Sequence, residues 1–307
     1  MKISIIGGGM AGLACAERLS SAGMAVTVFD KGRAAGGRMA ARRVATEAGE
    51  ASFDHGAQYF NARDPAFAAR VRRWADAGLA ARWPAAGPDA WVGMPTMNAP
   101  VKQMASVADV RWNTAVPQLG RVSGGWSIDG EAFDAVVVAV PAEQAAPLLQ
   151  PWDPAMAARA AATPSQPCWT VMAAFAAPVP HTGDILREQG AIGWAARNSA
   201  KPGRAGPEAW VIQAAPGWST EHLEEDAQEV GQSLLQTFAT AVGRDLPPTL
   251  SVTAHRWRYA RAGIAPAGAA WNPTLRLGVC GDWLMGPRVE CAWLSGDTLA
   301  GSIAAGA

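Results

Sequence analysis

Three glycines and an aspartate near the N-terminus have the types and spacing of a dinucleotide-binding site. Gly7, Gly9 and Gly12 form a GxGxxG pattern, and Asp30 follows 18 residues after Gly12. In this pattern the glycines permit a tight turn, close approach of the backbone to a pyrophosphate, and close packing of a helix on a strand. The carboxylate accepts hydrogen bonds from ribose hydroxyls and repels a 2′-phosphate. We therefore expect a dinucleotide that lacks the 2′-phosphate.

The elements around these residues form a strand, helix and strand unit. Residues 2–6 alternate as a buried strand, residues 10–22 have helical spacing of small and apolar side chains, and residues 25–30 form a second strand. The helix would begin at Met10 and Ala11 and direct its positive end at the pyrophosphate. A crossover of this length makes the two strands parallel and predicts an α/β fold with a doubly wound sheet.

A second motif lies near the C-terminus. A predicted strand over residues 274–280 is followed by Gly281 and Asp282, and then by a predicted helix that ends at about residue 304. The helical spacing places small and apolar residues on one face. We expect that face to pack closely on another element.

The middle of the chain is predicted to be rich in short strands. Between residues 109 and 140 the predicted strands cover residues 109–113, 116–122, 125–128 and 135–140. The last of them is apolar enough for a central position in a parallel sheet. A helix is predicted over residues 220–242, with a cap at Thr220 and a stop at Gly243.

Composition and charge restrict the class of protein. The 307 residues are enough for two domains that share a cleft. Basic and acidic side chains number 26 each, so no net field draws the protein to nucleic acid or to an anionic membrane. No apolar run approaches the roughly 20 residues of a membrane span. We expect a soluble, cytoplasmic protein whose four cysteines are reduced and which holds no metal.

The run RAAGGRM at residues 33–39 resembles the segment after the second strand in glutathione-reductase-like and amine-oxidase-like flavoproteins. In those proteins an arginine steadies the pyrophosphate, and Arg38 matches it. The step from Gly281 to Asp282 resembles their contact with pyrophosphate and ribitol. The helix after that step points at flavin N1 and O2, where negative charge develops on reduction. These likenesses favour FAD over NAD.

Residues 54–60, DHGAQYF, narrow the resemblance. With GGGMAGL near the N-terminus, HRWRYA from His255 and GDWLMGPRVECAWLSG from Gly281, they resemble the renalase-like branch of the amine oxidase superfamily. The resemblance implies non-covalent FAD and a substrate domain of α+β type, built on a mixed or antiparallel sheet that covers the flavin. The implied domains are a flavin-binding domain of residues 1–58, 98–145 and 270–307 and a substrate domain of residues 59–97 and 146–269.

The same resemblance implies an activity. Renalases take hydride at flavin N5 from off-pathway dihydronicotinamide isomers and pass the electrons to O2 as H2O2. A dihydropyridine gives up hydride directly, so positioning in a dry aromatic pocket supplies most of the catalysis. The implied partners are a small-molecule substrate, such as a reduced nicotinamide nucleotide isomer, and O2.

Two alternatives stay open at this point. One is amine oxidation, but residues 167–178 lack the lysine that amine-oxidising relatives place near flavin N5, and an aromatic cage would need both Tyr59 and Tyr259. The other is a FAD-binding protein in which the flavin is structural or acts as a sensor.

The motifs and the resemblance together predict the residues that bind the cofactor. They are Gly7, Gly9, Met10, Ala11, Gly12, Asp30, Lys31, Arg33, Gly37, Arg38, Met39, His55, Gly56, Ala57, Gln58, Val110, Gly281, Asp282, Arg288, Val289, Glu290 and Ala292. No acid or base is assigned, and the candidates for catalytic residues are His55, Trp257 and Tyr259. In the predicted strand Trp257 and Tyr259 face one way and Arg258 the other.

Overall fold

The computed structural model describes residues 1–306, which form eighteen β-strands and eight α-helices. The strands are β1 (Lys2–Ile6), β2 (Ala25–Phe29), β3 (Ala41–Thr46), β4 (Gly49–Asp54), β5 (Ala80–Arg82), β6 (Trp91–Gly93), β7 (Asp109–Arg111), β8 (Gly120–Val122), β9 (Gly125–Ile128), β10 (Glu131–Phe133), β11 (Ala135–Val138), β12 (Gln166–Phe175), β13 (Ile185–Gln189), β14 (Ile192–Arg197), β15 (Glu208–Ala214), β16 (Thr249–Arg261), β17 (Ala270–Asn272) and β18 (Leu277–Val279). The helices are α1 (Met10–Ser21), α2 (Pro65–Asp76), α3 (Ala99–Ser106), α4 (Ala142–Leu149), α5 (Pro154–Ala161), α6 (Pro216–Glu221), α7 (Ala227–Val242) and α8 (Val289–Ala305).

A six-stranded sheet runs in the order β17, β18, β11, β1, β2, β7. Its strands pair in parallel, with Ile3 beside Ala135, except that β17 is antiparallel to β18. The central strands are apolar runs because both of their faces are buried. The carboxyl ends of β1, β2 and β18 lie at one edge, so Gly7, Asp30 and Gly281 follow them there. The predicted α/β fold with a doubly wound sheet is confirmed.

Helices α1 and α8 pack against each other in the same direction. Gly296 of α8 lies so close to α1 that a β-carbon at this position would be 2.0 Å from the carbonyl oxygen of Ala11. One turn further on, Gly301 contacts Arg18, which also forms an ion pair with Asp297. The expected packing face of the C-terminal helix is confirmed, and the N-termini of both helices point toward the same end of the molecule.

The second sheet is antiparallel and runs in the order β13, β14, β15, β12, β16. Helix α7 covers one face, where the rings of Phe238 and Trp210 lie 5.0 Å apart between centroids. The β3–β4 hairpin covers part of the other face and brings Phe53 into an apolar cluster with Met172. An antiparallel sheet of this kind agrees with the predicted second sheet.

The helix predicted over residues 220–242 is two helices. Thr220 lies inside α6, where its hydroxyl donates to the carbonyl of Pro216, so it does not cap the longer helix. Asp226 takes that place, because its carboxylate accepts hydrogen bonds from two amides of the first turn of α7. Aspartate and threonine are both good cap residues, so the sequence pattern alone did not rank them. Gly243 ends α7 in the left-handed conformation, as expected.

Within residues 1–306, no helix combines the length and the hydropathy needed to cross a membrane. Ala307, the last residue of the predicted flavin-binding domain, lies outside the described residues. The domain boundaries given above stay a prediction.

Candidate active site

A cavity of about 1890 Å³ lies between the carboxyl edge of the six-stranded sheet and one face of the five-stranded sheet. Small-molecule sites usually measure ~300–1,000 Å³, so this cavity has room for a dinucleotide and a second, smaller molecule. Its walls come from the loops after β1, β2, β11 and β18 and from strands β12, β14, β15 and β16.

Gly9 lies at the dinucleotide end of the cavity, directly before α1. A β-carbon built on Gly9 would meet no atom of the described residues within 4 Å, so its surroundings are open. In the part of the chain that the structure describes, neither a capping side chain nor an acidic residue neutralises the first turn of α1. The positive end of this helix is therefore available to an anion in the cavity.

Asp30 lies at the end of β2 in the cavity wall. One of its oxygens accepts a hydrogen bond from the amide of Gly8, and the other accepts from the amide of Gly32, both at 2.6 Å. These bonds fix the carboxylate beside the glycine-rich turn. Each oxygen keeps a lone pair with which it can accept a ribose hydroxyl.

Arg38 and Asp282 connect the two predicted cofactor motifs. Two guanidinium nitrogens of Arg38 donate to the two carboxylate oxygens of Asp282, at 2.7 and 2.6 Å. A further hydrogen bond of 3.4 Å joins Arg38 to the carbonyl of Ala260. Gly281 is held in turn by its amide, which donates to the hydroxyl of Ser295 at 2.9 Å.

The N-terminus of α8 is the second helix end at the cavity. Val289 and Ala292 line the wall, and the described residues provide no side-chain cap for this helix. Glu290 turns away from the cavity, since one of its oxygens accepts from the amides of Arg63 and Asp64 at 2.5 and 2.7 Å. The helix thus keeps its positive end directed at the cavity.

The donors at this end of the cavity fit a dinucleotide. Two helix N-termini without caps of their own meet an open glycine, a fixed carboxylate and a paired arginine within one wall. A pyrophosphate needs backbone amides and positive charge, and a ribose needs a carboxylate. The residues of the chain supply both.

The segment at residues 54–60 packs directly on the loop that carries Arg38. The amide of Ala57 donates to the carbonyl of Arg38 at 2.8 Å, and a β-carbon on Gly56 would lie 2.0 Å from the same oxygen. Gly56 and Ala57 line the cavity, whereas His55 and Gln58 lie behind its wall.

A buried cluster of charged side chains supports this segment on the side away from the cavity. No sequence pattern predicted this cluster. Asp54 accepts hydrogen bonds from Lys201 at 3.2 Å and from Arg204 at 2.5 Å, and all three side chains are almost wholly inaccessible. Burial alone would raise the pKa of Asp54, but the two cations lower it below its usual value. Burial lowers the pKa of Lys201 to about 8. Lys201 also donates to Gln58 at 3.1 Å, which fixes the residue next to the cavity wall.

Three rings, those of His55, His255 and Trp257, pack together beside the cavity. Trp257 stacks on His55 at 5.1 Å between centroids and donates its indole N–H to the carbonyl of His55 at 2.8 Å. His255 meets both rings edge to face. Burial, the neighbouring His255 and Arg42 lower the pKa of His55 to about 4, and burial and Arg42 also lower the pKa of His255. Both imidazoles are therefore neutral at physiological pH.

Strand β16 alternates as predicted. Trp257 and Tyr259 line the cavity, and Arg258 pairs with Glu224 on the α6–α7 loop. Of the catalytic candidates, Trp257 and Tyr259 thus reach the cavity and His55 supports Trp257 from behind.

The cavity face of the five-stranded sheet contains further residues that the sequence analysis did not single out. Trp194 of β14 is the register partner of Gln213 of β15, and Cys168 of β12 is the register partner of Trp257. All four residues line the cavity. Register across strands distant in sequence brings them together, so local spacing gave no signal for them.

Most of the predicted cofactor residues lie in one wall. Those that line the cavity are Gly7, Gly9, Met10, Ala11, Asp30, Lys31, Arg33, Gly37, Arg38, Met39, Gly56, Ala57, Gly281, Asp282, Arg288, Val289 and Ala292. Those that lie outside the lining are Gly12, His55, Gln58, Val110 and Glu290. Gly12 packs on Gly7, and Val110 pairs with Val28 in the sheet.

Comparison with protein families agrees with this geometry. A model of the NAD(P)-binding Rossmann-like domain matches residues 5–75, and a model of flavin-containing amine oxidoreductases matches residues 75–303. The chain belongs to the flavin-containing amine oxidoreductase family. As a member of this family it is an FAD-dependent oxidoreductase, and the predicted cofactor and enzyme class are confirmed.

Solved structures show that this flavin-containing amine oxidoreductase has the fold of known amine oxidases. Cyclohexylamine oxidase from Brevibacterium oxydans IH-35A superposes with a TM-score of 0.72 at 12% identity, over 99% of this chain and 98% of that chain. Putrescine oxidase bound to putrescine gives a TM-score of 0.67 at 14% identity, over 99% of each chain. With 99% of this chain covered, the similarity in fold extends over both sheets.

Proposed function

We propose that this enzyme oxidises a dihydronicotinamide nucleotide isomer and passes the electrons to O2, as the renalase-like branch of the superfamily does. Strand β16 carries the proposal, because Trp257, Tyr259 and Arg261 line the cavity. A planar ring stacks on indole and phenol side chains. The phosphates of a nucleotide pair with guanidinium groups. One strand thus offers both parts of the substrate a partner.

The charge of the cavity wall supports an anionic substrate over an amine. Among residues 1–306 the wall contains the basic side chains Lys31, Arg33, Arg38, Arg261 and Arg288 and the acidic side chains Asp30, Glu143, Glu188 and Asp282. The guanidinium groups of Arg256 and Arg258 pair with Glu224 on the other side of β16 and are not counted. The wall keeps a small excess of basic side chains, and Arg261 lies near Trp257 and Tyr259 in it. An alkylammonium ion finds no carboxylate of the described residues near these two rings, whereas a phosphate can pair with Arg261.

The positions of the lysines and tyrosines also support this choice. Lys31, at the dinucleotide end, is the single lysine of the described residues that lines the cavity. Lys201 is buried behind the wall and committed to Asp54. Tyr59 packs on Trp194 at 5.5 Å and does not reach the cavity, so Tyr259 has no second tyrosine with which to form a cage.

The residues of the chain hold and orient the donor. When bound, FAD supplies a hydride acceptor whose electrons reduce O2; the donor loses one hydride, and one proton from solvent completes H2O2. Trp257 is held rigid by its stack and hydrogen bond to His55, which is how a ring-shaped donor would be oriented. Neutral His55 and His255 keep this side of the pocket free of charge. No side chain has to remove a proton from the donor.

We propose that FAD binds non-covalently to the seventeen predicted residues that line the cavity, in a domain of residues 1–58, 98–145 and 270–307. Among the described cysteines, Cys168 alone lines the cavity, and burial raises the pKa of its thiol to about 11. A thiol that stays protonated is a poor nucleophile toward flavin. Denaturation in acid should therefore release all of the flavin into the supernatant.

Anaerobic titration of the purified yellow protein tests the proposed reaction. The 2- and 6-dihydronicotinamide isomers of NADH are added separately, and primary amines are added to matched samples. We expect stoichiometric bleaching of the flavin by at least one isomer, and H2O2 when air is admitted. Bleaching by amines alone would contradict the proposal, and a flavin that stays oxidised with every donor would indicate a structural or sensing role.

A further inference from the structure

Gln213 is a polar side chain on the cavity face of the five-stranded sheet. Its amide nitrogen Nε2 donates a hydrogen bond to the carbonyl oxygen of Gly56 at 2.8 Å. Because a carbonyl accepts and does not donate, this bond fixes which end of the amide is nitrogen. The oxygen Oε1 is left as an acceptor, and it has no hydrogen-bond donor among residues 1–306.

The surroundings of Gln213 are apolar and aromatic. Its register partners are Trp194 on β14 and Thr170 on β12, and Thr170 pairs in turn with His255 on β16. Cys168 and Trp257 form the next pair on the same face. Gln213 itself lines the cavity beside these residues. An acceptor in such a setting gains more from a ligand N–H than it would in water.

The anchor at Gly56 holds Gln213 in place. Gly56 lies in the segment that packs on Arg38 and is supported by the buried Asp54 cluster. Rotation of the Gln213 amide would leave two carbonyl oxygens facing each other, which is unfavourable. The side chain therefore presents an acceptor in a fixed position.

We propose that Oε1 of Gln213 accepts an N–H of the substrate carboxamide and so makes the enzyme specific for pyridine nucleotides that bear a primary amide. This inference rests on the proposed function and adds the residue that binds the carboxamide group of the nicotinamide ring. Stacking on Trp257 or Tyr259 does not depend on that substituent. A hydrogen-bond acceptor, in contrast, raises the affinity for a ring that carries an N–H and not for one that carries a methyl group.

Two commercial nucleotides isolate this contact. NAD⁺ carries a carboxamide, and 3-acetylpyridine adenine dinucleotide replaces the NH2 by CH3 with the same charge and almost the same shape. Isothermal titration calorimetry measures the Kd of each for the FAD-loaded enzyme. We expect NAD⁺ to bind about fivefold to tenfold more tightly, the range that one neutral hydrogen bond contributes.

A variant at position 213 completes the test. Gln213→Met keeps the length of the side chain but has no amide oxygen, and we expect it to bind both nucleotides with the same Kd. Gln232→Met on the exposed face of α7 is the matched control and should behave as wild type. Flavin content and thermal midpoint show whether each variant is folded.

The outcomes separate this inference from the proposed function. Equal Kd values in the wild type, or an undiminished preference in folded Gln213→Met, would overturn the role of Gln213 while leaving dihydronicotinamide oxidation intact. A wild type that binds neither nucleotide and is not bleached by the isomers would overturn both. A preference for NAD⁺ that disappears in folded Gln213→Met and persists in Gln232→Met supports the inference.

Discussion

Arg38 and Asp282, which lie 244 positions apart in the sequence, form a two-bonded ion pair at 2.6 and 2.7 Å in the cavity wall. The pair joins the loop after β2 to the loop after β18. Asp282 is buried, and the side chain of Arg38 is 31% exposed. The arginine is thus held where the pyrophosphate contact is predicted, and its charge is partly balanced before any ligand binds.

Removal of the carboxylate tests the importance of this pair. Asp282→Asn should lower the free energy of unfolding by about 1–3 kcal/mol, because a half-buried guanidinium loses its partner. The Kd for FAD should rise about tenfold, because Arg38 loses its fixed position, and less FAD should remain bound after dialysis. Glu50→Gln removes a similar pair with Arg43, but both side chains there are more than half exposed, so no change is expected. Equal behaviour of the two variants would contradict the role assigned to Asp282.

Gly56 should not tolerate a methyl group. A β-carbon there would lie 2.0 Å from the carbonyl oxygen of Arg38, and both segments are anchored by other contacts. We expect Gly56→Ala to cost at least about 1–3 kcal/mol of stability and to lower FAD content. Gly217→Ala is the matched control, since a β-carbon at Gly217 meets no described atom within 4 Å. Thermal denaturation of the two variants side by side makes the comparison.

Acid should destabilise the protein through His55. The folded state keeps its imidazole neutral down to about pH 4, whereas the unfolded chain takes up the proton near pH 6.5. Protons therefore favour the unfolded chain, and stability that is complete above pH 6.5 falls as the pH is lowered. The loss from this group between pH 6.5 and 4.5 is about 2 kcal/mol. Asp54, whose pKa is lowered from 3.8, contributes a loss only below that window.

Urea unfolding at several pH values measures this loss. His55→Phe keeps a flat ring for the stack on Trp257 but cannot take up a proton, so the curve of stability against pH should become shallower between pH 6.5 and 4.5. His255 retains part of the dependence, because its pKa is lowered in the same direction. A slope identical to that of the wild type would rule out His55 as its source.

Substitutions in the buried cluster of Asp54, Lys201 and Arg204 should lower the stability by different amounts. Asp54→Asn leaves Lys201 and Arg204 buried without a counter-charge and should cost about 3–5 kcal/mol. Lys201→Met leaves Asp54 with Arg204 at 2.5 Å and with the amide of Met97 at 2.9 Å, so it should cost clearly less. Chemical denaturation gives both values, and a larger loss for Lys201→Met would show that the lysine, not the aspartate, organises the cluster.

The sequence predicted those parts of the fold and site that depend on local spacing. The GxGxxG turn, Asp30 and the helix after Gly281 each lie within a few residues of the element that places them. The alternation along β16 was likewise local, and the structure confirms the separation of Trp257 from Arg258. The resemblance in DHGAQYF identified the segment that packs on Arg38, although no spacing rule explains it.

The remaining features depend on contacts between distant segments. Lys201 and Arg204 lie in a loop without periodicity, and only the three-dimensional structure brings them to Asp54. Trp194 is the register partner of Gln213, and Cys168 is the register partner of Trp257, but a single sequence does not reveal this register. Glu290 is predicted to contact the cofactor, and the sequence does not reveal that its carboxylate accepts hydrogen bonds from the backbone amides of Arg63 and Asp64, 227 and 226 residues away.

Rapid anaerobic mixing tests the central claim most directly. The FAD-loaded enzyme is mixed with the 2- and 6-dihydronicotinamide isomers and, in parallel, with primary amines at the same concentrations, and the flavin absorbance is followed. The aromatic and basic wall of the cavity predicts fast bleaching by at least one isomer and none by the amines over the same time. Fast bleaching by an amine with no reaction of either isomer would contradict the account.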